Sequence, residues 1–243
     1  DGRPALSPSI GIKIDYNDFY MKILNSYNYR KPSFNEMYYL SYGTKDLRPE
    51  KSLNYTLTIG GNFLERVQVD FSTFLIETRD QIIAIPKSPV SWSAANIDKV
   101  EHKGMELSIF GNYTEIFLEK IGINWTLQSS INKTKGSLFY NKQLILTPQE
   151  ILNGYLLMNF EYIKFSVDFD YTSFRYTDQE NNNNSILPNY FLLDFGLIIP
   201  VKIKNTELNI IMDCKNALDK QYEIIPNYPM PKRQFIIGIN IKY

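Results

Sequence analysis

Two aspartates, Asp168 and Asp170, stand two apart in the stretch FSVDFDYT. On a strand they share a face, and paired carboxylates so placed could divide acid and base roles in cleaving a glycosidic bond. Two acids on one face of a strand fit a polar channel wall just as well, where Lys or Arg from neighbouring elements would pair with them. The second reading is adopted, and no catalytic residue is assigned. The chain has one histidine, His102, so any histidine-based metal site or triad would have to lie around it; it is read as an ordinary polar side chain. One cysteine, Cys214, cannot form an intramolecular disulfide. No metal or cofactor is expected, and NNNN at 181–184 reads as a flexible loop tip.

Composition narrows the class. Lys and Arg number 26, matching 26 Asp and Glu, so no basic excess argues for nucleic acid or an acidic surface as partner. Hydrophobic residues make up 44% and the mean hydropathy is −0.28. No run of about 18 apolar residues is present, which excludes a membrane-spanning helix. Transmembrane strands need no such run, because only every second residue meets lipid. The 18 Tyr and 15 Phe favour strands. The opening DGRPALSPSI lacks the basic start and apolar core of an export signal. Either that signal has been removed or the chain is a piece of something longer.

The elements that must position these residues alternate with period two. Leu53, Tyr55, Leu57 and Ile59 oppose Asn54, Thr56, Thr58 and Gly60, and Ile121, Ile123, Trp125 and Leu127 oppose Gly122, Asn124, Thr126 and Gln128. About eleven strands are expected, over 8–16, 19–29, 51–62, 64–85, 98–111, 118–132, 153–162, 164–176, 189–200, 206–216 and 232–243. Short connections at 16–18, 61–65, 111–120, 162–164 and 201–205 alternate with long ones at 30–50, 86–97, 133–152, 177–188 and 217–231. In an up-and-down meander alternate turns fall at opposite ends, so all the long loops share one end. That is the layout of an outer-membrane barrel, supported by long strands and by aromatic residues near strand ends: Tyr16, Phe19, Phe63, Tyr113, Phe117, Tyr162 and Tyr243. A soluble β-sandwich or lectin alternates identically and stays open as the alternative. The last strand puts Phe235, Ile237, Ile239, Ile241 and Tyr243 on one face.

Three segments carry a family resemblance. FNEMYYLSYGTKDLRPEKS, 34–52, resembles the loop-to-strand signature of TonB-dependent outer-membrane receptors through Asn35, Glu36, Tyr38, Asp46, Leu47, Arg48, Pro49, Glu50 and Ser52. Thr44 and Lys45 stand where that family usually has Asn and Pro. NIDKVEHKGMELSI, 96–109, is similar to a family strand through Asn96, Val100, Gly104, Met105 and Glu106. The ending, 213–243, matches through Asn216, Leu218, Asp219, Tyr222, Pro231, Arg233 and a terminal aromatic, with Met230-Pro231-Lys232-Arg233 in place of the commoner Pro-Gly-Arg. Singly each motif is weak; in order and at matching spacing they reinforce one another.

The resemblance implies an all-β, antiparallel, up-and-down transmembrane barrel, with residues 1–243 as the C-terminal half of a 22-stranded one in the bacterial outer membrane. It implies active import of a scarce ligand such as an iron chelate, haem, cobalamin or a glycan, without covalent chemistry. The expected partners are a second polypeptide or fragment supplying the plug and remaining strands, TonB acting through that plug, the outer-membrane assembly machinery, which would read the terminal strand and Tyr243, and the lipid bilayer. The loops would also permit a surface lipoprotein. Candidate ligand contacts are Tyr38, Tyr39, Tyr42, Trp92, Tyr140, Tyr222, Tyr228 and Arg30 or Arg48, because rings offer flat apolar area with a polar tip and Arg pairs with carboxylate or phosphate. The same rings could instead pack the loops or form the interface girdle, and Arg48-Pro49-Glu50 reads as loop architecture. A non-transporting barrel component is the remaining alternative.

Overall fold

The computed structural model describes residues 6–63, 66–88, 91–113, 118–160, 162–203 and 206–242. Its strands are β1 (Ser9–Tyr16), β2 (Phe19–Arg30), β3 (Glu50–Phe63), β4 (Val67–Ser88), β5 (Ser91–Asn112), β6 (Leu118–Asn132), β7 (Glu150–Phe160), β8 (Ile163–Thr172), β9 (Arg175–Tyr176), β10 (Ile186–Leu187), β11 (Tyr190–Ile203), β12 (Thr206–Lys215), β13 (Glu223–Ile225), β14 (Tyr228–Pro229) and β15 (Gln234–Lys242). One helix, α1 (Phe34–Tyr38), lies between β2 and β3. Eleven strands form a single antiparallel sheet in the order β1-β2-β3-β4-β5-β6-β7-β8-β11-β12-β15. β9 with β10 and β13 with β14 make two small hairpins inside long loops. The first and last strands of the sheet do not pair with each other, so the sheet is open.

All eleven expected strands are present, and one expected loop is not. Residues 86–88 and 91–97 continue a hairpin in which β4 reaches Ser88 and β5 starts at Ser91, each 22 residues long. Pro86 and the serines around it resemble a turn signal, yet the ladder tolerates them. Ala94 turns its N–H to Tyr42 and its C=O to Thr44, away from its partner Ala84. Pro86–Trp92, two residues further along, is therefore also a non-hydrogen-bonded pair, and the proline's missing N–H costs no ladder bond.

The alternation sorts into two faces through the cross-strand register. Ile12, Ile23 and Leu57 stand in one row, and Met212 and Ile237 in another. This outward face stays open: Ile10 is 69% exposed and Ile237 is 73%. No second sheet covers it among the described residues, as a soluble sandwich would require. The opposite face carries Lys22, Thr58, Ser72 and Glu106 in one row and Asn153 and Asp170 in another. Buried apolar residues among those described are Ile82, Ala94, Val100, Leu144, Ile145 and Leu187. All lie in the loops or at the long-loop end of the strands, so a water-excluding core exists only there. Tyr16, Phe19, Phe63 and Tyr162 stand at the short-turn end, where Phe19 and Phe63 meet edge to face at 5.6 Å between ring centroids. Phe117 and Tyr243 lie outside the described residues.

Gly104 shows what one motif position does for the sheet. It pairs with Phe74 on the inner face, and a Cβ there would stand 2.7 Å from the Phe74 ring. Only glycine leaves room there for that ring and for the Leu127 carbonyl of the neighbouring strand.

Candidate functional site

The long-loop end is tied together by three cationic or amide hubs, built largely from the motif residues. At the first, Arg30 ends β2 and grips two carboxylates. Its Nε donates to Glu50 at 2.7 Å, its Nη1 to Glu36 at 2.9 Å, and its Nη2 to both, at 2.9 and 3.0 Å. Glu36 is doubly occupied. Its carboxylate also accepts from Ser33 N–H at 2.7 Å while Ser33 Oγ accepts from Glu36 N–H, a capping box that starts α1. The Arg30 guanidinium, reinforced by the cap, holds the Glu36 carboxyl below its ordinary value. Expected as a ligand cation, Arg30 is instead a clamp whose donors are taken by protein.

The second hub straps the 31–49 segment to the β4/β5 hairpin. Arg48 reaches Asp80 with Nε at 2.7 Å and Asp98 with Nη2 at 2.6 Å. Asn96 Oδ1 accepts from Arg48 N–H, and its Nδ2 donates to the carbonyls of Arg48 and Asp80. Thr44 Oγ1 donates to Ala94 O at 2.8 Å. A free strand edge is thereby covered by chain from the neighbouring loop. Tyr42 belongs to this strap, its carbonyl accepting from Ala94 N–H, and burial pushes its phenol upward.

The third hub is Asn216, 5% exposed and in the left-handed region at φ 49°. Its N–H donates to Asp194 and its Nδ2 to the carbonyls of Lys220 and Pro231, while its Oδ1 accepts from Lys220 N–H. Asp219, also at positive φ, accepts from Arg233 N–H. The expected Asn216, Asp219 and Arg233 motif is thus the frame of the last loop. Nearby, Arg175 is 3% exposed and donates to the carbonyls of Pro188 and Glu223, its guanidinium 5.0 Å from the Tyr190 ring centroid. Tyr222 packs on Tyr190 at 4.6 Å. Asn181 donates to Gln143 O and accepts from Gln143 N–H, binding two long loops. The NNNN stretch is therefore a fastening at its first residue, which its composition alone did not reveal.

The expected ligand residues divide by surroundings. Tyr38, Tyr39, Tyr140 and Tyr228 are exposed, and the Tyr38 ring centroid lies 5.0 Å from that of the still more exposed Phe34. Phe34 and Leu40, not expected from sequence, complete an apolar patch on and just after α1. Tyr42 and Tyr222 are half-buried packing residues, and Trp92 sits within β5, opposite Pro86, instead of in a loop. The Asp168–Asp170 pair faces inward beside Asp194, its partner in the register, and the cation that answers this group is Lys215, 3.1 Å from Asp194. No group of His, Cys, Asp and Glu suited to a metal ion occurs among the described residues.

An open antiparallel sheet with an apolar outer face, a polar inner face, tight turns at one end and cross-tied long loops at the other defines part of an outer-membrane β-barrel. The family model described as TonB dependent receptor-like, beta-barrel matches residues 2–210, and the chain belongs to that family, which places it in the bacterial outer membrane. It is 25% identical over 218 residues to a vitamin B12 transporter, BtuB, of Vibrio vulnificus (strain YJ016), covering 88% of this chain and 33% of that protein. The BtuB of Photobacterium profundum is 25% identical over 221 residues, covering 88% and 34%. The chain thus spans about a third of the length of these relatives. In fold it resembles the ferric citrate transporter FecA, with a TM-score of 0.74 at 14% identity over 97% of this chain and 38% of that one. The ferric preacinetobactin receptor BauA from Acinetobacter baumannii gives 0.73 at 14%, over 96% and 36%.

Proposed function

We propose that this chain is the C-terminal half-barrel of a TonB-dependent importer, providing wall, inner lining and extracellular lid for uptake of a scarce ligand. The observation that carries the reading is the open eleven-stranded sheet, whose two outer strands leave backbone groups unpaired. Lipid cannot satisfy such groups, so further strands must close the barrel. A second polypeptide or segment supplies them together with the plug, and the plug transmits the pull of TonB. The relatives named for vitamin B12 and the fold neighbours named for ferric citrate and ferric preacinetobactin support a ligand of that kind, a compact chelate carried whole through the barrel. Tyr38 and Tyr39, presented with Phe34 on and just after a helix held by the Arg30 clamp, are the ligand contacts best placed for this, with Tyr140 and Tyr228 on other loops. The outward face of β15, Phe235, Ile237, Ile239 and Ile241, serves also as the signal for the assembly machinery.

Purification from the native envelope in mild detergent, followed by mass spectrometry of everything retained, tests this. A co-purifying segment with a plug and about eleven further strands is expected. Recovery of this chain alone as a folded monomer would overturn the reading. Retention of a surface lipoprotein without any plug-bearing segment would point to a non-transporting component.

A further inference from the structure

The outward face carries an arrangement that the folded chain does not itself balance. Lys51 on β3 is registered opposite Arg79 on β4, and Arg79 opposite Lys99 on β5. Three cations therefore form one row across three adjacent strands, with no acid between them. Like charges directly opposite one another on a sheet repel, because their Cβ atoms are only about 5 Å apart. In the rows nearer the short-turn end, the outward charges are Glu77, Glu101 and Lys103. Lys99 reaches Glu77 at 3.5 Å and Lys103 reaches Glu101 at 3.6 Å, both long and exposed contacts. Both acids are thus engaged, and Lys51 and Arg79, each exposed, have no ion pair among the described residues.

Height decides what can answer this charge. Arg79 is a dozen residues beyond Val67 along β4. At about 3.3 Å per residue and a tilt near 40°, it stands about 30 Å above the short-turn end, just past an apolar band about 25 Å tall. Val69, Phe71 and Leu75 fill that band on the same face of the strand, and Tyr29 stands beside Lys51 in the cation row, as an interfacial aromatic would. The row thus lies at the level of the outer-leaflet head groups and faces the lipid.

We propose that Lys51, Arg79 and Lys99 form a docking ladder for the phosphorylated head group of an outer-leaflet lipid. Arg79 supplies a planar fork suited to two phosphate oxygens, and the lysines supply point charges on either side. The bound phosphate removes the repulsion within the row, and acyl chains below it lie along Leu75, Phe71 and their neighbours.

The test uses the detergent-solubilised assembly as purified from the envelope, titrated with dioctanoyl phosphatidic acid, dioctanoyl phosphatidylcholine and inorganic phosphate while thermal unfolding is followed. Phosphatidic acid is expected to stabilise the assembly at concentrations where phosphatidylcholine does not, with apparent affinity falling about fivefold for each cation removed in K51Q, R79Q and K99Q. The charge-preserving K51R/K99R variant should respond as the parent does, which separates charge from folding. Equal responses to both lipids, or an unchanged response in the triple glutamine variant, would overturn the proposal. A matching response to inorganic phosphate at the same concentration would overturn the lipid as occupant and leave a site for a free anion.

Discussion

Arg30 is the residue on which the first long loop converges. Its guanidinium joins the end of β2, the cap of α1 and the start of β3, and Glu50 passes the connection on to Ile82 N–H at 2.6 Å. Replacing it by glutamine leaves Glu36 and Glu50 without their cation while the membrane strands are untouched. The expected result is faster proteolysis within 31–49 at neutral pH, with unchanged heat-modifiable migration of the barrel. The pH dependence has a definite sign. Glu36 has a folded-state value depressed from its ordinary 4.5, so its contribution is fully present above that value and is lost as pH falls below it through the folded value. Limited proteolysis with an acid-active protease should therefore show the 31–49 strap opening below pH 4.5 in the parent chain. In R30Q the strap should already be loose at neutral pH, and opening with no difference between the two would refute the clamp.

At the scale of elements, the strands were readable because a membrane barrel repeats one simple constraint. Each outward residue meets lipid and each inward one a polar interior, so period two survives with few interruptions through β3, β6 and β8. The failure at 86–97 has a local cause: Pro and Ser signal a turn only where the ladder needs the missing donor, and register relative to Ala94 decides that. Motif positions such as Asn216 and Gly104 could be found by pattern, but their tasks required partners distant in sequence, Pro231 for one and Phe74 for the other. Phe34 and Leu40 gave no pattern, since an exposed apolar side chain has no periodicity. On β15, Ile239 pairs with Ile210 and faces lipid. I239K should cost ~2–4 kcal/mol near the bilayer midplane and reduce the yield of assembled barrel severalfold, measured by surface protease resistance. The inward N240K should have little effect, and equal losses would mean that the faces are assigned the wrong way round.

For the molecule as a whole, openness is the governing property. Two unpaired edges separated by nine intervening strands cannot be blunted locally, because β1 and β15 both face the membrane region with apolar side chains exposed. Expressed alone, the chain should fail to give a heat-modifiable species in detergent, whereas co-expression with the plug-bearing portion should restore it. A heat-stable monomer formed alone would show that the edges close on each other. The fold and the membrane were legible in sequence because they depend on alternation and loop lengths. The ligand was not, because exposed loop side chains such as Tyr38, Tyr140 and Tyr228 carry no periodic signature that would mark a contact.

The β4/β5 hairpin also has a meaning for anything that meets the cell from outside. Two 22-residue strands, stiffened along one edge by Tyr42 and Thr44, form a mast that rises past the lipid surface on a backbone that cannot easily bend. An antibody would find there a fixed, folded epitope instead of a wandering peptide, and its affinity would depend on the strap remaining fastened.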